Sequence, residues 1–300
     1  MREDGTSALE RGMQVCTSAA HTLARVVAAV VVAGVALVHA GAANDPIGQV
    51  DHISIGVADP EPLFLWLTTQ LGLPETWPLA SFGPVRTGGV SVGNVNIEVL
   101  QRPARQTAVF QGVAFEPGPL EASVSALNER GIPTDAVERS PLFQLPDGEP
   151  VQWNSVRLPQ LSAPETWTIL CEYKTPAAAT TRATMTAALQ ARSGGPLGIL
   201  GADALVIGTG GDTAYQAAWT RLTQTGDDDP RVWNPGAGPR ITLASAEPRG
   251  LRRLVLRVRA LEAASRALER DGALATVSAQ ELQIAPARAF GLDIRLVAAP

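Results

Sequence analysis

Asp51-His52-Ile53-Ser54-Ile55-Gly56-Val57-Ala58-Asp59-Pro60 is the stretch on which the fold turns. Its first seven residues read as a largely apolar strand. Asp59 then offers a helix N-cap and Pro60 fits the first helical position, where the missing proline N–H costs nothing. Leu63, Leu67 and Leu71 recur at i, i+4 and i+8 and form one buried stripe. Gly72 supplies the left-handed stop.

The same strand-then-helix unit recurs along the chain. Gln111–Glu116 leads to a helix carrying Leu120, Val124 and Leu127, closed by Gly131. Ala204–Gly208 leads to Asp212 as cap, then Tyr215, Ala218, Trp219 and Leu222, closed by Gly226. Arg253–Val258 leads to Leu261, Ala264 and Leu268, closed by Gly272. Strand-like pieces follow each helix, among them 85–92, 95–100, 151–156, 168–173, 240–243, 282–284 and 292–297. The unit is a small mixed sheet with a helix on one face, and its other face needs a partner. The texture changes at Thr175–Pro196, where Ser193-Gly194-Gly195-Pro196 punctuates the end of a linker with a short helix near Met185–Ala191.

Asp51–Pro60 together with Leu71-Gly72-Leu73 resembles the opening of a vicinal-oxygen-chelate (glyoxalase-like) module. Gly93-Asn94-Val95-Asn96-Ile97-Glu98 resembles the last strand of such a module, Phe110–Gly131 the start of a second, and Thr168–Tyr173 its close. The matches cover most of residues 50–174 and are weaker over 202–300. The resemblance implies an α+β fold of tandem βαβββ modules forming two half-barrel domains. The expected division is 44–176 for the first domain, 177–196 for the linker and 197–300 for a second, degenerate domain. It also implies ligand positions on the first and last strands of each module, for one divalent metal. Those positions hold His52 and Glu98, then Gly112 and Glu172, then Ala204 and Thr242, then Arg253 and Arg295. The implied metal site is therefore His52, Glu98 and Glu172, in the first half. An imidazole with two carboxylates suits Zn, Mn, Fe, Co or Ni, and open positions would let the ion polarise a carbonyl or acidify water.

Each of these residues also has a plainer reading. His52 at a strand start also fits a hydrogen-bonded structural histidine. Glu98 and Glu172 also fit carboxylates turned to the outer face, since a lone buried carboxylate is costly. Gly208-Thr209-Gly210-Gly211 lacks the rest of a phosphate loop and reads as a turn. Asp227-Asp228-Asp229 lacks EF-hand spacing and reads as a solvated loop. Trp66 and Trp219 sit on helices as core residues, whereas Trp77, Trp153, Trp167 and Trp233 either pack or line a pocket.

Composition narrows the function further. A net charge of -5 without a Lys/Arg block gives no nucleic-acid footprint. Cys16 and Cys171 show no metal-knot spacing, and Cys171 reads as a small buried hydrophobe. Arg25, the apolar run Val26–Val38 and the small residues Ala40-Gly41-Ala42-Ala43 stand in the order of a signal peptide, so residues 1–43 read as a signal peptide or an N-terminal anchor. His21 and His39 fall within that segment. The expectation is an exported protein, periplasmic or secreted, touching a membrane only if residues 26–43 remain as an anchor. Its partner is a small-molecule ligand or substrate. The leading function is a divalent-metal-dependent lyase or isomerase, with a non-catalytic small-molecule binding protein of the same fold as the alternative and an envelope scaffold as a third reading. N-terminal sequencing of the protein from its native host is expected to find a start near Ala42 or Ala43. A cytosolic protein still starting near Met1 or Met13 would contradict export.

Overall fold

The structure is a computed structural model that describes residues 45–299 apart from 83–84, 145–147, 149 and 224–230. The expected signal segment, Cys16, Gly226 and the Asp227–Asp229 run lie outside the described residues. Residues from 46 onward form one compact unit.

The first half holds β1 (Ile47–Val57), α1 (Pro60–Leu65), β2 (Glu75–Phe82), β3 (Val85–Ser91), β4 (Asn96–Gln101), β5 (Val109–Pro117), α2 (Leu120–Glu129), β6 (Glu138–Arg139), β7 (Phe143–Gln144), β8 (Pro150–Val151), β9 (Trp153–Arg157) and β10 (Trp167–Tyr173). The stretch read as a linker carries a long helix, α3 (Pro176–Ala191). The second half holds β11 (Ile199–Gly208), α4 (Thr213–Leu222), β12 (Val232–Trp233), β13 (Arg240–Ala244), β14 (Gly250–Val258), α5 (Leu261–Arg270), β15 (Leu274–Val277), β16 (Glu281–Ile284) and β17 (Asp293–Ala298). The expected tandem modules and two half-barrels are present. One sheet runs β2-β3-β4-β1-β5-β10-β9-β6 and the other β12-β13-β11-β14-β17-β16-β15.

The expected local signals work as read. The Asp59 side chain accepts the Glu61 N–H, and Leu63, Leu67 and Leu71 are buried. The end of this helix departs from the plain reading, because Trp66–Gln70 form a π-turn in which the Leu71 N–H reaches the Trp66 carbonyl. Gly72, Gly131 and Gly272 take φ of 68°, 72° and 60°, the left-handed conformation that terminates each helix. Asp212 caps α4 by accepting the Tyr215 N–H.

The duplication is visible in the irregularities of the strands. In β1 against β5, register shifts fall between Ile47 and Gln49, Val50 and His52, and Ser54 and Ile55. In β11 against β14 they fall between Ile199 and Gly201, Ala202 and Ala204, and Val206 and Ile207. The two series coincide when Ala204 is laid on His52. β-Bulges re-aim side chains at fixed places, so their repetition shows that both halves are the same design.

The two halves share a core. Phe115 of β5 packs edge-on against Trp219 of α4 and tilted against Trp233 of β12, and all three are almost fully buried. Trp233 thus belongs to the core. The Asn94 side chain accepts from the Ala202 N–H at 2.8 Å and donates to the Ala202 carbonyl at 2.9 Å, pairing the halves as a strand would. Phe115→Ala is expected to cost about 3–5 kcal/mol, since a large cavity opens between the halves. Asn94→Ala is expected to cost about 1–3 kcal/mol by leaving both Ala202 backbone groups unpaired. Denaturant unfolding of the purified variants checks both values, and equal effects below about 0.5 kcal/mol would show that the halves do not rely on this contact.

Candidate functional site

Helices cover one face of each sheet, and the candidate residues gather on the other, concave face of the first half. Residues directly opposite in neighbouring strands point to the same face, so the pairs His52–Asn96, Ser54–Glu98 and His52–Ala114 place His52, Ser54 and Glu98 together. Asp51 would point away by simple alternation. The bulge between Val50 and His52 turns it to the same face, where both residues are buried.

These side chains form a chain of contacts. The Tyr173 hydroxyl donates to Asp51 Oδ2 at 3.0 Å. The same oxygen lies 2.6 Å from His52 Nδ1. On the other side of the ring, His52 Nε2 lies 3.7 Å from Glu98 Oε2. Ser54 Oγ donates to that oxygen at 2.7 Å and Thr87 Oγ1 to Glu98 Oε1 at 3.0 Å. Further along the same face, Gln49 donates to Glu116 Oε2 at 2.5 Å. Hydroxyls and an amide are thus among the groups that solvate these carboxylates.

Two indoles sit on this face over glycines. A Cβ at Gly112 would lie 2.3 Å from the Trp167 ring, and one at Gly89 would lie 2.3 Å from the Trp77 ring. Trp167 also meets His52 edge-on with centroids 6.3 Å apart. Trp153 instead stacks on Phe143 at 5.4 Å. No clear apolar alternation marks β2, so the place of Trp77 was not legible from the residues. Trp77 lies on the strand next to the Gly88-Gly89 pair and directly opposite Gly89.

Of the three expected metal ligands, the structure brings together His52 and Glu98. Glu172 lies elsewhere. Trp167, Ile169, Cys171 and Tyr173 alternate onto the concave face, so Glu172 turns to the helix side. There its Oε1 accepts from the Leu120 N–H at the start of α2, and its other oxygen pairs with Lys174. A carboxylate at a helix N-terminus is favoured by the helix dipole, which gives Glu172 a structural role. Register shows why the sequence alignment slipped. Ile169 pairs with Ala114 as Arg295 pairs with Val255, so Ile169 holds the place on β10 that Arg295 holds on β17. The place beside Gly112 is filled by the Trp167 indole. Among the described residues no group of three His, Cys, Asp or Glu side chains is arranged to hold a metal ion. His52, Glu98 and Glu172 therefore do not fit a single ion as a set.

The second half reads as expected at the matching places. Ala204 and Thr242 occupy the His52 and Glu98 positions, and Arg253 and Arg295 face the same side. Here arginines neutralise the carboxylates. Arg253 pairs with Asp293 at 2.7 Å and Glu247 at 3.2 Å, Arg295 with Asp293 at 3.0 Å and Glu281 at 2.5 Å, and Arg240 with Asp203 at 2.5 Å. Burial works against the Asp293 charge, but the hydrogen bonds from Arg295 and Arg253 outweigh it and hold its carboxyl below the ordinary range.

No protein-family model and no curated protein matches the chain. Solved structures do match it. The 2,3-dioxygenase LapB from Pseudomonas sp. KL28 aligns over 86% of this chain and 94% of its own, with a TM-score of 0.56 and 12% identity. Homoprotocatechuate 2,3-dioxygenase from Arthrobacter globiformis aligns over 85% and 81%, with a TM-score of 0.53 and 13% identity. A 4-hydroxymandelate synthase variant from Streptomyces coelicolor aligns over 84% and 93%, with a TM-score of 0.54 and 15% identity. The chain has the vicinal-oxygen-chelate fold. At such identities the likeness speaks for the fold alone. Within this vicinal-oxygen-chelate frame the concave face of the first half keeps a polar cluster, and that of the second half is an ion-pair lattice.

Two further groups complete the cluster. Burial, and then the charges of Asp51 and Glu98, push the Cys171 thiol well above its ordinary value of 9.0. Burial and the Asp51 charge likewise push the Tyr173 hydroxyl well above 10.0. Both groups stay protonated at neutral pH, so Tyr173 acts as a donor and Cys171 is an inert thiol. In the native protein Cys171 is expected to resist alkylation at pH 8 and to react once the chain unfolds, as mass spectrometry of the labelled peptide will show. The unfolded chain ionises these two groups near pH 9 and 10 while the folded chain does not, so stability falls as pH rises through that range, by up to about 1.4 kcal/mol per pH unit per group. Unfolding curves from pH 7 to 11 are expected to show this fall, and Tyr173→Phe should flatten it.

Proposed function

We propose that the concave face of the first half binds a small hydroxylated molecule, with His52 and Glu98 meeting its polar groups and the indoles of Trp77 and Trp167 contacting its ring. The observation that carries this reading is the Asp51–His52–Glu98 chain, held by hydroxyl donors on a sheet face where two indoles sit over glycines. Small-molecule sites combine aromatic and apolar side chains with a few placed polar groups. The names of two structural neighbours carry homoprotocatechuate and 4-hydroxymandelate, both small hydroxylated aromatic acids, which supports a ligand of that size.

A non-catalytic binding protein is thus favoured over a metal-dependent lyase or isomerase. The turn of Glu172 to the helix side and the indole over Gly112 leave His52 and Glu98 as the donors of the expected set on this face. Export remains part of the proposal and rests on the order of Arg25, the apolar run and the small residues before Asn44.

Charge refines the test. Asp51, Glu98 and Glu116 share this face, so a neutral catechol is expected to bind more tightly than homoprotocatechuate, whose carboxylate they repel. Isothermal titration with each compound, on protein freed of metal by chelator, is expected to give a Kd of about 1 mM or tighter for catechol. His52→Ala and Glu98→Gln should each weaken it by about tenfold with unchanged circular dichroism, the loss of one hydrogen bond to a charged group. Binding that appears only after a divalent metal is restored would instead support the metal-dependent reading. Absence of binding with and without metal would overturn both.

A further inference from the structure

We infer that Asp51 is a positioning residue for His52, fixing the ring so that Nδ1 carries a proton and Nε2 is presented beside Glu98. The inference rests on the reading of this face as a ligand site. The geometry begins with a violation of strand alternation. Adjacent residues of a regular strand face opposite ways, yet Asp51 and His52 share a face because the chain inserts a bulge between Val50 and His52. The carboxylate has no proton to give, so the 2.6 Å contact from Asp51 Oδ2 makes Nδ1 the donor. The bond one ring nitrogen makes sets the state of the other, so Nε2 is the atom that faces Glu98.

Two observations separate this arrangement from chance. First, Asp51 is itself held from a distant part of the chain. Tyr173, on the closing strand of the second module, donates to the same oxygen, and the high proton affinity of its hydroxyl keeps it a donor. Secondly, the molecule contains its own control. The second half repeats the bulge between Ala202 and Ala204, with Asp203 in the place of Asp51. The next residue there is Ala204, and Asp203 turns instead to Arg240. An acid at the bulge is thus common to both halves, and it takes the imidazole where a histidine follows.

The ring state is read directly from long-range proton–nitrogen NMR correlations of protein labelled with 15N-histidine. Three histidines are present in the full chain, and His52→Gln identifies the His52 signals. The wild-type protein without ligand is expected to show a protonated Nδ1 at His52. Tyr173→Phe should keep that pattern, while Asp51→Ala should move the proton to Nε2 and weaken catechol binding by about tenfold. An unprotonated Nδ1 in the wild type would overturn the inference. So would an Asp51→Ala variant with the wild-type pattern. If Asp51→Ala does not fold, the wild-type and Tyr173→Phe spectra still decide. Because the nitrogen signals are recorded without ligand, failure of catechol to bind would count against the binding reading and leave this one to be judged on the spectra.

Discussion

Each half hangs on one central antiparallel pair, β1 with β5 and β11 with β14. The closing strand of each module, β4, β10, β13 or β17, pairs parallel with a member of that pair, and the remaining strands of the two sheets add outward antiparallel. The pair is irregular at three places, and the irregularities are the same in both halves. A straight ladder would direct alternate residues to the helices and to the open face without exception. The bulges break that rule once near the middle of the sheet, and this break brings an acid next to the residue whose side chain occupies the centre of the concave face. The convex side, packed with Phe115, Trp219 and Trp233, then locks the two halves into a common core.

The strand–helix rhythm was legible because it is written in short-range signals. Asp59 and Asp212 cap, Leu63, Leu67 and Leu71 form a stripe, and Gly72, Gly131 and Gly272 stop their helices, each within a few residues of its partner. His52 and Glu98 were legible for a related reason, since each lies in a strand whose register follows from its apolar neighbours. Glu172 was misplaced because a three-residue error in a strand changes the face a side chain points to. The pairing of Ile169 with Ala114 that corrects it is a long-range fact. Asp51 was invisible as a site residue for the same reason. A bulge depends on how two strands meet, and nothing in the order Val50-Asp51-His52 announces it. The helix Pro176–Ala191 was mostly read as linker because its threonines and alanines carry no clear apolar stripe.

The two concave faces show two solutions to one problem, the presence of carboxylates on a partly covered sheet. In the first half neutral donors meet them, from Ser54, Thr87, Gln49 and Tyr173. Such donors stabilise a carboxylate by hydrogen bonding and carry no charge of their own. In the second half guanidinium groups meet the carboxylates, and the small apolar floor of Ala204, Val206 and Val255 lies beneath them. The residues that would meet a ligand are there engaged with each other. The same architecture thus carries two different sets of partners for its carboxylates, hydroxyls and an amide in one half and guanidinium groups in the other.

The sharing of Asp293 by two arginines has a consequence for how the molecule responds to its surroundings. Arg253 and Arg295 reach Asp293 from either side, and all three side chains keep between 20% and 26% of their surface exposed. Ions in solution reach pairs of that exposure, and screening lengths shrink to about 10 Å at 0.1 M salt and about 3 Å at 1 M. The Ser54 and Thr87 hydroxyls that meet Glu98 carry no charge, so their bonds respond less to dissolved ions. Rising ionic strength therefore acts more on the guanidinium–carboxylate lattice of the second half than on these hydroxyl bonds of the first.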